Sequence, residues 1–157
     1  MKSNLYNTPL EIGMRCLSII NHSEGEKGLD IERLMYLDYL CLNTKDIGGE
    51  SSLHAPIPNR GVQIYSRKKL IMNGLKILAS KELVEVNLSE SGIYYKSNEN
   101  TAKFLSYFES NYYKKLDSRT AWTVEKFKNS DNKALQRFIE NNLHKWGSDL
   151  IEDSQNI

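Results

Sequence analysis

The stretch Ser66–Lys96, SRKKLIMNGLKILASKELVEVNLSESGIYYK, changes its hydrophobic period partway along, and that change decides the fold class. In its first half Leu70, Ile71, Leu75 and Leu78 fall at i, i+1, i+5 and i+8, the spacing of one buried helix face. Gly74 lets another element pack close to that face. The opposite side shows Lys68, Lys69, Asn73 and Lys76, preceded by Arg67. Leu83–Leu88 and Gly92–Lys96 then read as two strands joined by Ser89-Glu90-Ser91, a hairpin.

Upstream, Thr8-Pro9-Leu10-Glu11 supplies a capping hydroxyl, a proline at the first helical position and a carboxylate at the third. This predicts a helix from Pro9 to about Ile20, burying Leu10, Ile12, Met14, Leu17 and Ile20, and broken by Gly25 and Gly28. Asp30 caps a second helix that carries Leu34, Leu37, Tyr39, Leu40 and Leu42. Between Asn43 and about Gln63 the paired glycines and two prolines of KDIGGESSLHAPIPNRG forbid a regular helix. Loops longer than ~15 residues in compact domains tend to be functional or disordered. Ordering one costs ~1–2 kcal/mol of backbone entropy per residue. Leu53, His54, Pro56, Ile57, Pro58 and Arg60 are therefore candidate partner-docking residues.

Two helices, a third with a basic outer face and then a hairpin follow the order of a winged-helix domain. The expected fold is mainly α (α+β): a winged-helix core over residues 1–97, with a hairpin wing and a long loop at 43–63. Further helices are expected from Thr101 to about Ser110, from Tyr112 to about Lys128, and from an Asp131 cap to about Ile151. They would form a C-terminal helical extension, residues 98–157, packed on the core. The last carries Leu135, Phe138, Ile139, Leu143, Trp146 and Leu150 on one stripe. Trp122 and Trp146 also lie on helical stripes, where core packing is the ordinary explanation and interface anchoring the alternative. Both are candidate partner-interface residues. Tyr112-Tyr113-Lys114-Lys115 reads either as an aromatic-basic patch or as a polar helix edge.

With 157 residues, 39% of them hydrophobic, the chain has room for one core. Its 21 Lys and Arg against 20 Asp and Glu argue against a chain-wide nucleic-acid coat. The balance is uneven: residues 1–60 carry six basic and eight acidic side chains, 61–128 twelve and seven, and 129–157 three and five. The basic middle holds the candidate DNA-binding residues Arg67, Lys68, Lys69, Asn73, Lys76 and Lys96, although lysines on a solvent face also serve solubility alone. Cys16 and Cys41 suit buried free thiols in a reducing compartment better than a disulfide framework, a lone bridge between them being the alternative. No run of ~18 apolar residues is present, so a cytoplasmic protein without membrane contact is expected. His22, His54 and His144 are scattered, and neither HExxH, CxxC, GxSxG nor a phosphate-cradling glycine loop occurs. No metal, no cofactor and no enzymatic activity are expected.

The segments DYLCLNTKDIGGESSLHAPIPNRGVQIYSRKKLIMNGLKILASKELVEV and GIYYKSNENTAKFLSYFESNYYKKLDSRTAWTVEKF resemble the small middle component of bacterial ABC-three-component systems, in particular Lamassu-type defence operons. The likeness covers roughly residues 10 to 128. Its best-matching parts are Asp38-Tyr39-Leu40, Ser52-Leu53-His54 with Pro56, Pro58 and Arg60, Gly74-Leu75 before Leu83-Val84, and Ala121-Trp122. The resemblance implies a non-catalytic subunit beside an SMC/Rad50-like ATPase and an effector, often a nuclease, acting against phage or plasmid DNA. The leading expectation is an adaptor that couples the ATPase to the effector, its own affinity for dsDNA weak, driven by phosphate contacts and exercised through the complex. A free-standing winged-helix DNA-binding transcription regulator is the alternative, against which the long loop counts. A small hydrolase or nuclease, its residues meeting only in three dimensions, is a third. The last helix, 131–151, lies outside the resemblance.

Overall fold

Thr8, Asp30, Ser110 and Asp131 each accept a hydrogen bond from the backbone amide three residues on, and each starts a helix. The computed structural model describes residues 8–54 and 60–146. Among them are six α-helices: α1 Pro9–His22, α2 Ile31–Leu42, α3 Lys68–Ser80, α4 Glu99–Leu105, α5 Asn111–Phe127 and α6 Asn132–Asn142. An antiparallel hairpin, β1 Glu85–Ser89 and β2 Gly92–Lys96, stands between α3 and α4. The fold is thus mostly helical with one two-stranded sheet. No helix among the described residues is long and apolar enough to cross a membrane.

α1 lies between α3 and α5. It meets α3 where Gly13 faces Gly74 so closely that a Cβ on Gly74 would sit 2.7 Å from the Pro9 carbonyl oxygen and 2.9 Å from the Gly13 nitrogen. It meets α5 through Ser18 and His22, both bonded to Asp117. At about 100° per residue, the Pro9–Gly13 and Ser18–His22 rows lie more than a right angle apart around α1. α5 also packs on α2, and α6 packs on α2 with Asn132 at its start bonded to Asp30. One apolar cluster runs through all of this, from Ile12, Leu17 and Ile20 through Leu34, Leu37 and Leu40 to Ile71, Leu75, Leu135 and Ile139. Cys16 and Cys41 are free and fully buried. Burial pushes both thiols up, that of Cys41 to about 12.

The hairpin pairs Val86 with Tyr95 and Leu88 with Ile93. Two 2.8 Å hydrogen bonds between Leu29 and Tyr95 tie β2 to the segment before α2. Gly28 makes this possible: its φ is +88°, and a Cβ there would lie 2.5 Å from the Tyr95 oxygen. The base is fastened by Thr101, whose hydroxyl donates to Leu83 O at 2.8 Å.

Several boundaries differ from the sequence expectation. A 3₁₀ turn, Tyr65–Arg67, occupies the expected start of the third helix, and α3 begins at Lys68. α4 is shorter than expected, and α6 ends at Asn142, before Trp146. Leu10, expected inside, is exposed at the rim of a groove between α1 and α5.

Candidate partner and nucleic-acid surfaces

Lys68, Lys69 and Lys76 are exposed on the outer side of α3, with Met72 also exposed and Asn73 half-buried. Arg67 behaves differently. It turns inward, and its guanidinium lies 3.1 Å from Asp38 Oδ2. Asp38 is fully buried and also takes a two-point contact from buried Arg15, Nε to Oδ1 at 2.8 Å and a terminal nitrogen to Oδ2 at 3.2 Å. Burial alone would raise the Asp38 carboxyl, but the charges and hydrogen bonds of Arg15 and Arg67 hold it below the usual carboxylate range. Arg67 therefore fixes the entry to α3 against α1 and α2, a contact that its place beside Lys68 and Lys69 in the sequence does not show. Lys96 is half-buried at the hairpin base, with Nζ 3.5 Å from Glu26 O. The α3 lysines are point charges without a bidentate fork, suited to phosphates rather than base edges.

The hairpin displays an apolar side. Val86, Leu88 and Ile93 are exposed, and Leu88 and Ile93 are cross-strand partners. On its other side Lys27 stacks over the Tyr94 ring at 4.2 Å.

The first part of the long loop is tied to the protein's own helices. It begins as a 3₁₀ turn, Thr44–Ile47, closed by Gly48 at φ +82°. Thr44 donates its hydroxyl to Glu50 O at 2.8 Å, Leu53 N reaches Leu42 O at 3.2 Å, and Arg119 Nε reaches Ser51 O at 3.0 Å. Gly49 lies under the Trp122 ring, where a Cβ would meet ring carbons at 2.7 Å. His54 meets Tyr112 through a 3.0 Å hydrogen bond. Burial, then the positive charges of Arg15 and Arg67, push the His54 imidazole down from its ordinary value. Pro56, Ile57 and Pro58 lie outside the described residues, and the chain resumes with a 3₁₀ turn, Arg60–Gln63. Part of the entropic cost of this loop is thus offset by contacts within the chain.

The two tryptophans separate. Trp122 is 38% exposed, with Lys126 Nζ 5.5 Å from its ring centre. Trp146 is 5% exposed and stacks on Tyr39 at 5.1 Å, so its ring packs in the core.

Two polar clusters had no signal in sequence spacing. One is Arg15–Asp38–Arg67. In the other, Asp117 Oδ1 accepts from Ser18 at 3.1 Å, contacts His22 Nε2 at 2.7 Å and accepts from Tyr113 at 3.4 Å. The Ser18 hydroxyl bonds the carboxylate rather than the imidazole, so His22 is not placed to take its proton. Among the described residues no three His, Cys, Asp or Glu side chains gather as metal ligands.

The described surfaces thus comprise lysines on the outward side of α3, a loop tied to α5 and an apolar hairpin face. The family model for "ABC-three component (ABC-3C) system Middle Component 2" matches residues 5–149, and the chain belongs to that family. It is a subunit of a multi-component defence system and works with protein partners. The match runs past residue 128 and takes in α6, the helix that the sequence resemblance left out. No curated protein and no solved structure matches the chain.

Proposed function

We propose that this protein is a non-catalytic adaptor of a Lamassu-type complex acting against phage or plasmid DNA. It joins an SMC/Rad50-like ATPase to a nuclease effector and touches dsDNA itself. In this reading α1, α2, α3 and the hairpin form a winged-helix core within residues 1–97, and the later helices are an extension carrying the second surface. The observation that carries the reading is the placement of α3 and α5 on different sides of α1. It supports one face for DNA phosphates, through Lys68, Lys69 and Lys76, and another for protein, through the loop and Trp122.

Co-expression of the whole operon with a tag on this chain tests the adaptor role. The expected result is co-purification of all components. If the tagged chain emerges alone and monomeric while the other two assemble without it, the reading fails.

A further inference from the structure

Tyr112, Lys115, Arg119, Trp122 and Lys126 recur every three or four positions along α5 and so share one face. Midway along, the Arg119 side chain is nine-tenths buried, at 10% exposure. Its Nε donates to Ser51 O at 3.0 Å and one terminal nitrogen reaches Lys115 O at 3.4 Å, so the plane of the guanidinium is set by backbone oxygens. The other terminal nitrogen faces Glu50 Oε2 at 3.5 Å. That exceeds the ~2.7–2.9 Å of a charge-assisted hydrogen bond. The Glu50 side chain is 76% exposed, and the loop holds this residue through its backbone oxygen, not its carboxylate. A hollow of about 150 Å³ opens here, lined by Thr44, Glu50, Ser118, Arg119 and Trp122.

We propose that this hollow receives an acidic side chain of a partner component, with an adjacent apolar side chain of that partner lying on Trp122. The partner's carboxylate displaces Glu50 and takes a close two-point contact with Arg119. The inference rests on the adaptor reading for the existence of a partner, and names the chemistry of what docks. Three features specify that chemistry. The loosely held Glu50 carboxylate already marks the ligand class. Lys115 and Lys126 add positive charge on the same face, whereas Glu125, on the neighbouring row, is paired with Lys128. The Trp122 ring is fixed by its seat on Gly49, so little freedom is lost when an apolar group covers it.

The test uses the full chain and overlapping fluorescent peptides tiled across the other two components, read by anisotropy. At least one peptide with an acidic residue beside an apolar one should bind, and lose binding when that acid is changed to its amide. Trp122→Ala should weaken it about ten-fold. Glu50→Gln, which removes the internal competitor, should tighten it about three- to ten-fold. Arg119→Gln also releases the loop at Ser51, so the two other variants decide the matter, each with its thermal unfolding checked. A purely structural tie between Glu50 and Arg119 predicts no tightening in Glu50→Gln, and that result overturns the proposal. So does a gain in Glu50→Gln that appears for duplex DNA instead of peptide. If the complex co-purifies but assembles equally well with Trp122→Ala and Glu50→Gln, the adaptor reading stands and this docking site falls.

Discussion

At the scale of single residues, Asp38 organises the interior. It is a fully buried carboxylate with guanidinium partners from α1 and from the turn before α3, so removing its charge leaves two cations facing each other, one of them buried. Asp38→Asn is expected to cost about 3–5 kcal/mol in chemical unfolding at neutral pH. The native carboxyl lies below its ordinary value, so its contribution is complete above about pH 4 and is lost as pH falls through the lower native value. The gap between wild type and Asp38→Asn should therefore close in strong acid, and a gap of constant width would deny the linkage. In the sequence, Asp38 is only a polar residue between apolar neighbours. Partners 23 and 29 positions away leave no periodic trace, which is why Arg67 reads there as a surface charge.

At the scale of elements, the caps and the hydrophobic periods make most of the helices and the hairpin legible in the sequence. Thr8, Asp30 and Asp131 act locally, within a few residues of where the sequence places them. Gly74 is legible as a point of close approach, but its partner is not, because Gly13 lies in another helix. Gly74→Ala should cost about 1–3 kcal/mol, since the added methyl meets backbone atoms of Pro9 and Gly13 rather than a side chain that can move. Leu88 gives the opposite case. It reads as an apolar strand position, yet it is 73% exposed, so Leu88→Ser should change stability by no more than about 0.5 kcal/mol. Thermal unfolding of the two variants separates a helix contact that positions α3 from a hairpin face that the fold itself does not need. The loop is legible as non-helical. Its attachment to Arg119 and Trp122 is not, because both partners lie about 70 residues downstream.

At the scale of the whole molecule, the near-neutral total conceals an uneven placement of charge. Lys69 and Lys76 stand on α3 while Trp122 stands on α5, and α1 separates the two helices. Two kinds of damage should therefore be independent. The double change Lys69→Glu, Lys76→Glu alters exposed side chains, so the subunit should fold and join its complex as before. DNA binding by that complex should weaken, and the slope of log affinity against log salt should fall by about 1 for each phosphate no longer neutralised. Trp122→Ala should do the reverse: it should weaken assembly while the salt slope of whatever complex forms keeps its wild-type value. Gel-shift titrations at several salt concentrations, run on complexes whose composition is first fixed by size exclusion, read both quantities on the same samples. An unchanged salt slope in the double lysine variant would remove α3 from the DNA surface. A slope that falls in Trp122→Ala as well would mean that the two faces act as one.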